Sequence, residues 1–135
     1  MPEISQLIPQ RDPIVEVDEL VSASESEAVT RLTVREDNFF AQSGVLHEPG
    51  LIEHMAQSAA AFAGNATFLR NEAPHLGFIG EVKRCHISLL PEVGAVLTTT
   101  VTLISEIAGV SLVKIATVCD GNPVAECQMK IFLKE

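Results

Sequence analysis

The sequence predicts an α+β domain in which one long, buried helix is wrapped by a strongly curved antiparallel sheet. Three observations lead there. Residues 51 to 70 form a run of alanines and large apolar side chains that repeats at helical spacing. The segments on both sides alternate apolar and polar residues, as half-buried strands do. The order is two strands, the helix, then about four strands. A sandwich of this size cannot enclose a helix, whereas a bent sheet can.

A chain of 135 residues suits one domain, spanning 1 to 135, with enough length to bury a sizeable core. Apolar residues make up 47% of it, which excludes a disordered chain. No apolar run is long enough to span a membrane. The start, "MPEISQLIPQRDP", lacks the basic and apolar blocks of a signal peptide. Net charge is −9, and nine of the eighteen acids fall in residues 1 to 37 against three basic residues. That balance argues against nucleic acid or an anionic membrane as partner. The odd set of Cys85, Cys119 and Cys127 suits reduced thiols in a cytoplasmic protein. No Cys/His spacing suits a metal. Cys119 and Cys127 flank "DGNP" and could approach each other across a hairpin.

Taken in order, residues 3 to 8 are expected to form a short helical turn. "IVEVDELVSA" and "AVTRLTVRE" are β-branched and roughly alternating, so they read as strands joined at "SESE". "DNFFAQSGVLHEPG" reads as a loop with two large aromatics, Phe39 and Phe40. Pro49 and Gly50 precede the helix, expected from about Leu51 to Arg70. Leu51, Met55, Ala59, Phe62, Ala63 and Ala66 recur on one face, and small residues on the others let a neighbour approach closely. A helix apolar all round should be enclosed by protein. "NEAPHLG" is a loop, and His75 in it has no expected role. "FIGEVKRCHISLL", "AVLTTTVTLISEI" and "VSLVKIATVCD" read as strands divided by "PEVG" and "AG". After "DGNP", Ala125, Cys127, Met129, Ile131 and Leu133 alternate with polar or exposed positions, the strictest period in the chain. An open sheet has edges, and pairing in a dimer would cover one.

Several stretches together resemble the hot dog fold, and within it the bacterial 3-hydroxyacyl-(acyl carrier protein) dehydratases. "LIPQRDPIVEVDEL", "NFFAQSG", "EPGLIEHMAQ" and "VKRCHISLLPEVGAVL" are similar to successive motifs of that family, over nearly the whole chain. "GFI" at 77 to 79, "KRCHI" and "AECQMKIF" look like the small branch found in aryl-polyene and flexirubin-type pigment clusters. The resemblance implies elimination of water from a 3-hydroxyacyl thioester to give the trans-2-enoyl thioester, in fatty acid or polyene biosynthesis. It implies no cofactor of the protein's own. The substrate would ride on the phosphopantetheine of an acyl carrier protein or on coenzyme A. The assembly would be a homodimer or a higher homo-oligomer.

Carried over residue by residue, the family's acid falls on Glu53, and its oxyanion-binding backbone amide falls on Gly50. Gln57, four residues after Glu53, shares its helix face and would orient it. Phe39, Phe40 and Met55 would line the acyl site. The family's histidine has no counterpart, because "AQSG" stands at its place in a shortened loop. His47, just downstream, is the candidate base. His54 points about 100° away from Glu53 on a helix and reads as a packed or interface residue. Lys83 and Arg84 are the candidates for docking a carrier protein. A solvated strand edge explains them equally well. Glu53 alone would read as a carboxylate capping its own helix. Two other readings remain open: an acyl thioesterase using Glu53 to activate water, and a noncatalytic acyl-binding or dimer-partner protein.

Overall fold

The structure, a computed structural model, describes residues 1–69 and 76–134. After a short 3-10 turn at Ile4–Gln6, the chain forms β1 (Glu19–Ala23), β2 (Glu27–Thr33), β3 (Ala41–Gln42), β4 (Val45–Leu46), α1 (Glu48–Leu69), β5 (Leu76–Ile87), β6 (Val96–Ile107), β7 (Val110–Cys119) and β8 (Asn122–Lys134). A six-stranded antiparallel sheet runs in the order β1-β2-β6-β7-β8-β5. The helix, about 33 Å long at 1.5 Å per residue, packs along it.

The alternating strands face the helix as their pattern requires. Leu97 and Val101 on β6, Val113 and Ile115 on β7, and Cys127, Met129 and Ile131 on β8 are all buried. They meet Leu51, Met55 and Ala59 of α1 in one cluster. A second cluster joins Ile4, Leu7 and Ile8 to Val17, Leu20, Ala28 and Ala61. It anchors the N-terminal segment over the later turns of the helix. Each fully buried Leu, Ile or Met contributes about 1.5–3 kcal/mol.

Two-residue turns close β6–β7 and β7–β8. Ala108 and Asp120 take left-handed φ of 53° and 50°, followed by Gly109 at 80° and Gly121 at 78°. This geometry matches the twist of hairpin strands. Ser43 and Gly44 make the same turn between β3 and β4, a small hairpin inside what the sequence predicts as loop.

Other boundaries also differ from expectation. The helix begins at Glu48, because proline tolerates the first turn, where its missing N–H leaves nothing unpaired. Arg70 and His75 lie outside the described residues. The first strand starts only at Glu19, since residues 14 to 17 turn their polar backbone toward the helix instead of a neighbouring strand. Cys119 and Cys127 do not meet: Cys119 faces Asn122 and Cys127 faces Ile115. The helix is not enclosed on every side within this chain. Ala56, Ala60, Phe62 and Ala63 are half-buried, and Ala66, Phe68 and Leu69 are exposed.

Candidate active site

The buried polar side chains in the first three turns of α1, His54, Gln57 and Ser58, each have a partner on another segment. His54 is wholly buried. One ring nitrogen, Nδ1, lies 2.6 Å from the Glu16 carbonyl, and Nε2 lies 2.7 Å from the Thr99 hydroxyl. A carbonyl can only accept, so Nδ1 carries the hydrogen and Nε2 accepts from Thr99. The Thr99 oxygen in turn takes the Thr117 hydroxyl hydrogen at 2.6 Å. Burial pushes the imidazole down to about 4, so His54 is neutral at ordinary pH. It is a packed strut, as the sequence suggests. Next on the helix, Ser58 donates to the His54 carbonyl at 2.8 Å and meets Thr30 at 2.8 Å.

Gln57 is equally spent. Its amide nitrogen donates to the Ile14 carbonyl at 2.8 Å and to a Glu53 carboxylate oxygen at 3.0 Å. Its oxygen accepts the Glu16 backbone N–H at 2.6 Å. The expected Gln57–Glu53 contact is therefore present, and Gln57 is itself locked by the N-terminal segment. Glu53 keeps partial exposure while one of its oxygens is held.

Glu16 is the residue that sequence reasoning passed over. It lies wholly buried behind Gln57. One carboxyl oxygen accepts from the Asn38 side-chain amide at 2.7 Å, and the other finds no hydrogen-bond partner among the described residues. Burial pushes its carboxyl up to about 7; the Asn38 bond opposes this, and the charges of Glu53 and Asp18 add to it. The available signal was a single acid inside "IVEV". Simple alternation would have sent it to solvent with Ile14 and Asp18, opposite Val15 and Val17.

The loop residues stand around this core. Asn38 also accepts the Phe40 N–H at 2.8 Å, which sets the aromatic loop. Phe39 is exposed and Phe40 half-buried, and their rings meet edge-on at 5.0 Å. His47 is half-buried. Its Nε2 lies 3.0 Å from the Gln42 carbonyl, which puts the hydrogen there and leaves Nδ1 with a lone pair. The Glu48 carboxylate lies 3.9 Å from Nδ1.

Three expectations change. The Gly50 amide is not free: it donates to the His47 carbonyl at 2.9 Å. An oxyanion role would need that bond shared or released. What Gly50 does show is close contact, since a Cβ there would fall 2.6 Å from both Leu46 and Phe40. Met55 is wholly buried, with the Cys127 thiol 3.7 Å from its sulfur, so it is a core residue. Lys83 and Lys130 approach one carboxylate, Glu81, at 3.9 and 3.3 Å, so the expected Lys83 docking charge is partly offset. Arg84 is exposed at a left-handed φ of 52° where the β5–β8 register shifts, and His86 is exposed on the same strand. A depression of about 590 Å³ lies elsewhere, beside Met1, Arg11, Asp18 and Arg35, and none of the expected site residues lines it.

A family model described as "ApeP-like: ApeP dehydratase" matches residues 2–135. No curated protein sequence matches the chain. Among solved structures, a chain of the dehydratase heterocomplex ApeI:P from Xenorhabdus doucetiae superposes with a TM-score of 0.91 at 19% identity, covering 100% of this chain and 93% of that one. A hypothetical thioesterase with coenzyme A from Streptococcus pneumoniae gives 0.72 at 12% identity, over 86% of this chain and 84% of that one. The PaaI protein from the phenylacetic acid degradation operon of E. coli gives 0.70 at 16% identity, over 84% and 81%. The likeness to these structures is one of fold: this is a hot dog domain. Among the described residues, no helix is long and apolar enough to cross a membrane.

Proposed function

The chain belongs to the ApeP-like dehydratase family, and on that premise we propose that it serves the elimination of water from a 3-hydroxyacyl thioester. One observation carries the reading. Glu53, at the start of the helix, keeps partial exposure while Gln57 holds one of its carboxyl oxygens at 3.0 Å. A carboxyl fixed by a side chain that is itself fixed is pre-aimed, and pre-aimed groups lower barriers by removing the entropy of alignment.

In the reaction a base takes a proton from C2 of the acyl chain. The electron pair forms the C2–C3 double bond, and the C3 hydroxyl leaves with a proton from Glu53 as water. His47 is the base we assign. Its Nδ1 has the free lone pair, and Glu48 would stabilise the imidazolium once formed. The developing enolate oxygen would be met at the helix start, where the dipole is positive; Gly50 is the amide we assign, with its bond to His47 loosened in the reacting state. Phe39 and Phe40 would flank the acyl chain. The thioester would arrive on an acyl carrier protein or coenzyme A, with the exposed Arg84 as the candidate docking cation.

We propose that the working unit pairs two hot dog chains. The half-buried outer face of α1 and the exposed Ile79 and Val82 on edge strand β5 leave apolar surface for a second chain to cover. A homodimer in the cytoplasm is the simplest such unit. A second reading, a noncatalytic acyl-binding partner, draws on the engaged Gly50 amide.

The test is to incubate the purified protein with a 3-hydroxyacyl carrier protein and follow the acyl mass. Loss of one water, abolished in Glu53→Gln, supports dehydration. Release of free acid would replace the reading with a thioesterase. Bound but unaltered thioester would replace it with the noncatalytic partner. Dehydration at full rate in His47→Ala would remove His47 from the base role.

A further inference from the structure

The Glu16 carboxyl has no part in the reaction outlined above, yet it sits behind both helix residues that frame Glu53. The Glu16 N–H donates to the Gln57 side-chain oxygen and its C=O accepts from His54, each at 2.6 Å, so one residue ties down two adjoining faces of the helix start, one of them the face on which Glu53 stands. Its carboxyl is wholly buried and half-satisfied, with Asn38 on one oxygen and no hydrogen-bond partner among the described residues on the other. The charged and titratable groups facing it are Glu53 and His54 from α1 and Asp18 from its own segment, and Arg35 lies 3.3 Å from Asp18.

We propose that Glu16 is a positioning residue of the Glu53 site: while its carboxyl is neutral it holds the Gln57–Glu53 pair in place, and when it ionises it lets that pair go. The physical route is short. A buried carboxylate lacking donors on one oxygen is costly, and negative charge on Asp18, and on Glu53 when it is ionised, raises that cost. Ionised, the residue gains by moving toward water. Its backbone moves with it, so Gln57 loses the N–H that holds its oxygen, and Glu53 loses a fixed partner. Burial brings the transition to about pH 7, within the range in which cells work. Glu53 faces Glu16, so its carboxyl signal should report the change of charge on Glu16.

The proposal rests on Glu53 being the working carboxyl, and its test separates that premise from the role of Glu16. Carbon-13 NMR of the full chain, labelled at glutamate carboxyls and assigned with Glu16→Gln and Glu53→Gln, follows Glu53 directly. In the unaltered protein its signal should show an inflection near neutral pH that disappears in Glu16→Gln. In Asn38→Ala the inflection should move to higher pH, because a bond that favours the charged form is lost; this variant serves if Glu16→Gln does not fold. A Glu53 titration unchanged by either substitution overturns the proposal. Where dehydration is measurable, Glu16→Gln should shift the alkaline limb of its pH–rate profile while retaining activity at lower pH. An alkaline limb at the same pH in Glu16→Gln and in the unaltered protein also overturns it. Absence of dehydration at every pH would instead sink the premise, and the NMR arm would still decide the role of Glu16.

Discussion

The two halves of the central helix are held by different means. The first half is tied by directed bonds: His54 to Glu16 and Thr99, Gln57 to Ile14, Glu16 and Glu53, Ser58 to Thr30. The second half is held by closeness. Ala61 is wholly buried, and Gly64 lies so near the Leu7 backbone that a Cβ would collide with the Leu7 carbonyl oxygen. Directed bonds fix angles, and a site needs fixed angles. Close contact fixes only a distance, which suffices where the N-terminal segment merely has to stay down. The contrast explains why the candidate chemistry sits at one end of a helix that is otherwise mostly small and apolar.

The contrast can be broken most severely at His54. His54→Ala leaves the Thr99 hydroxyl and the Glu16 carbonyl without their partner and opens a cavity. We expect a loss of about 4 kcal/mol in urea unfolding. A loss below about 1 kcal/mol would mean that the network is not what holds this end.

The next effect depends on pH. Unfolded Glu16 releases its proton near 4.5, whereas the folded residue keeps it to about 7. Over that window the unfolded state binds fewer protons, so stability falls as pH rises, by about 3 kcal/mol in total. His54 acts in the opposite sense. It binds a proton near 6.5 when unfolded and only at about 4 when folded. Stability therefore falls as pH drops through that window, again by about 3 kcal/mol. Between 4.5 and 6.5 the two slopes cancel, so these residues together leave a plateau. Glu16→Gln should remove one slope. Relative to the unaltered protein it should gain nothing near pH 4 and about 3 kcal/mol near pH 8. Denaturant titrations at several pH values will show whether that gap opens.

At the other end, Gly64→Ala sets two effects against each other. Alanine favours a helix over glycine by about 1 kcal/mol, while the collision with Leu7 costs about 1–3 kcal/mol. We expect a net loss of about 1 kcal/mol or slightly more, with faster hydrogen exchange in residues 4 to 8. A net gain would show that the N-terminal segment yields freely. The smallest effect belongs to Ser58→Ala, which removes the bonds to Thr30 and to the His54 carbonyl and should cost about 1 kcal/mol in thermal unfolding.

Much of the fold was legible because it depends on period. The alternation of Cys127, Met129 and Ile131 needed one buried face, and β8 has it. "AG" and "DG" marked two hairpins through the ease with which glycine takes a left-handed φ. Gln57 was legible as the partner of Glu53, since four residues make one helical turn. Glu16 was not, because its role lies with residues 38, 53, 54 and 57, all remote in sequence. The hairpin at residues 41–46 was missed because two-residue strands carry too short a pattern to read. The engagement of the Gly50 amide was equally hidden, since it depends on how tightly one turn closes.

By itself, the sequence determined the architecture: a small-residue helix among alternating strands has few ways to bury its apolar surface, and all of them bend a sheet around it. It also determined the chemical types at the helix start. Only the tertiary structure decided which of those groups stay neutral, which are locked and which face outward. Burial and hydrogen-bond geometry set protonation and aim, and both depend on segments that meet only after the chain has folded.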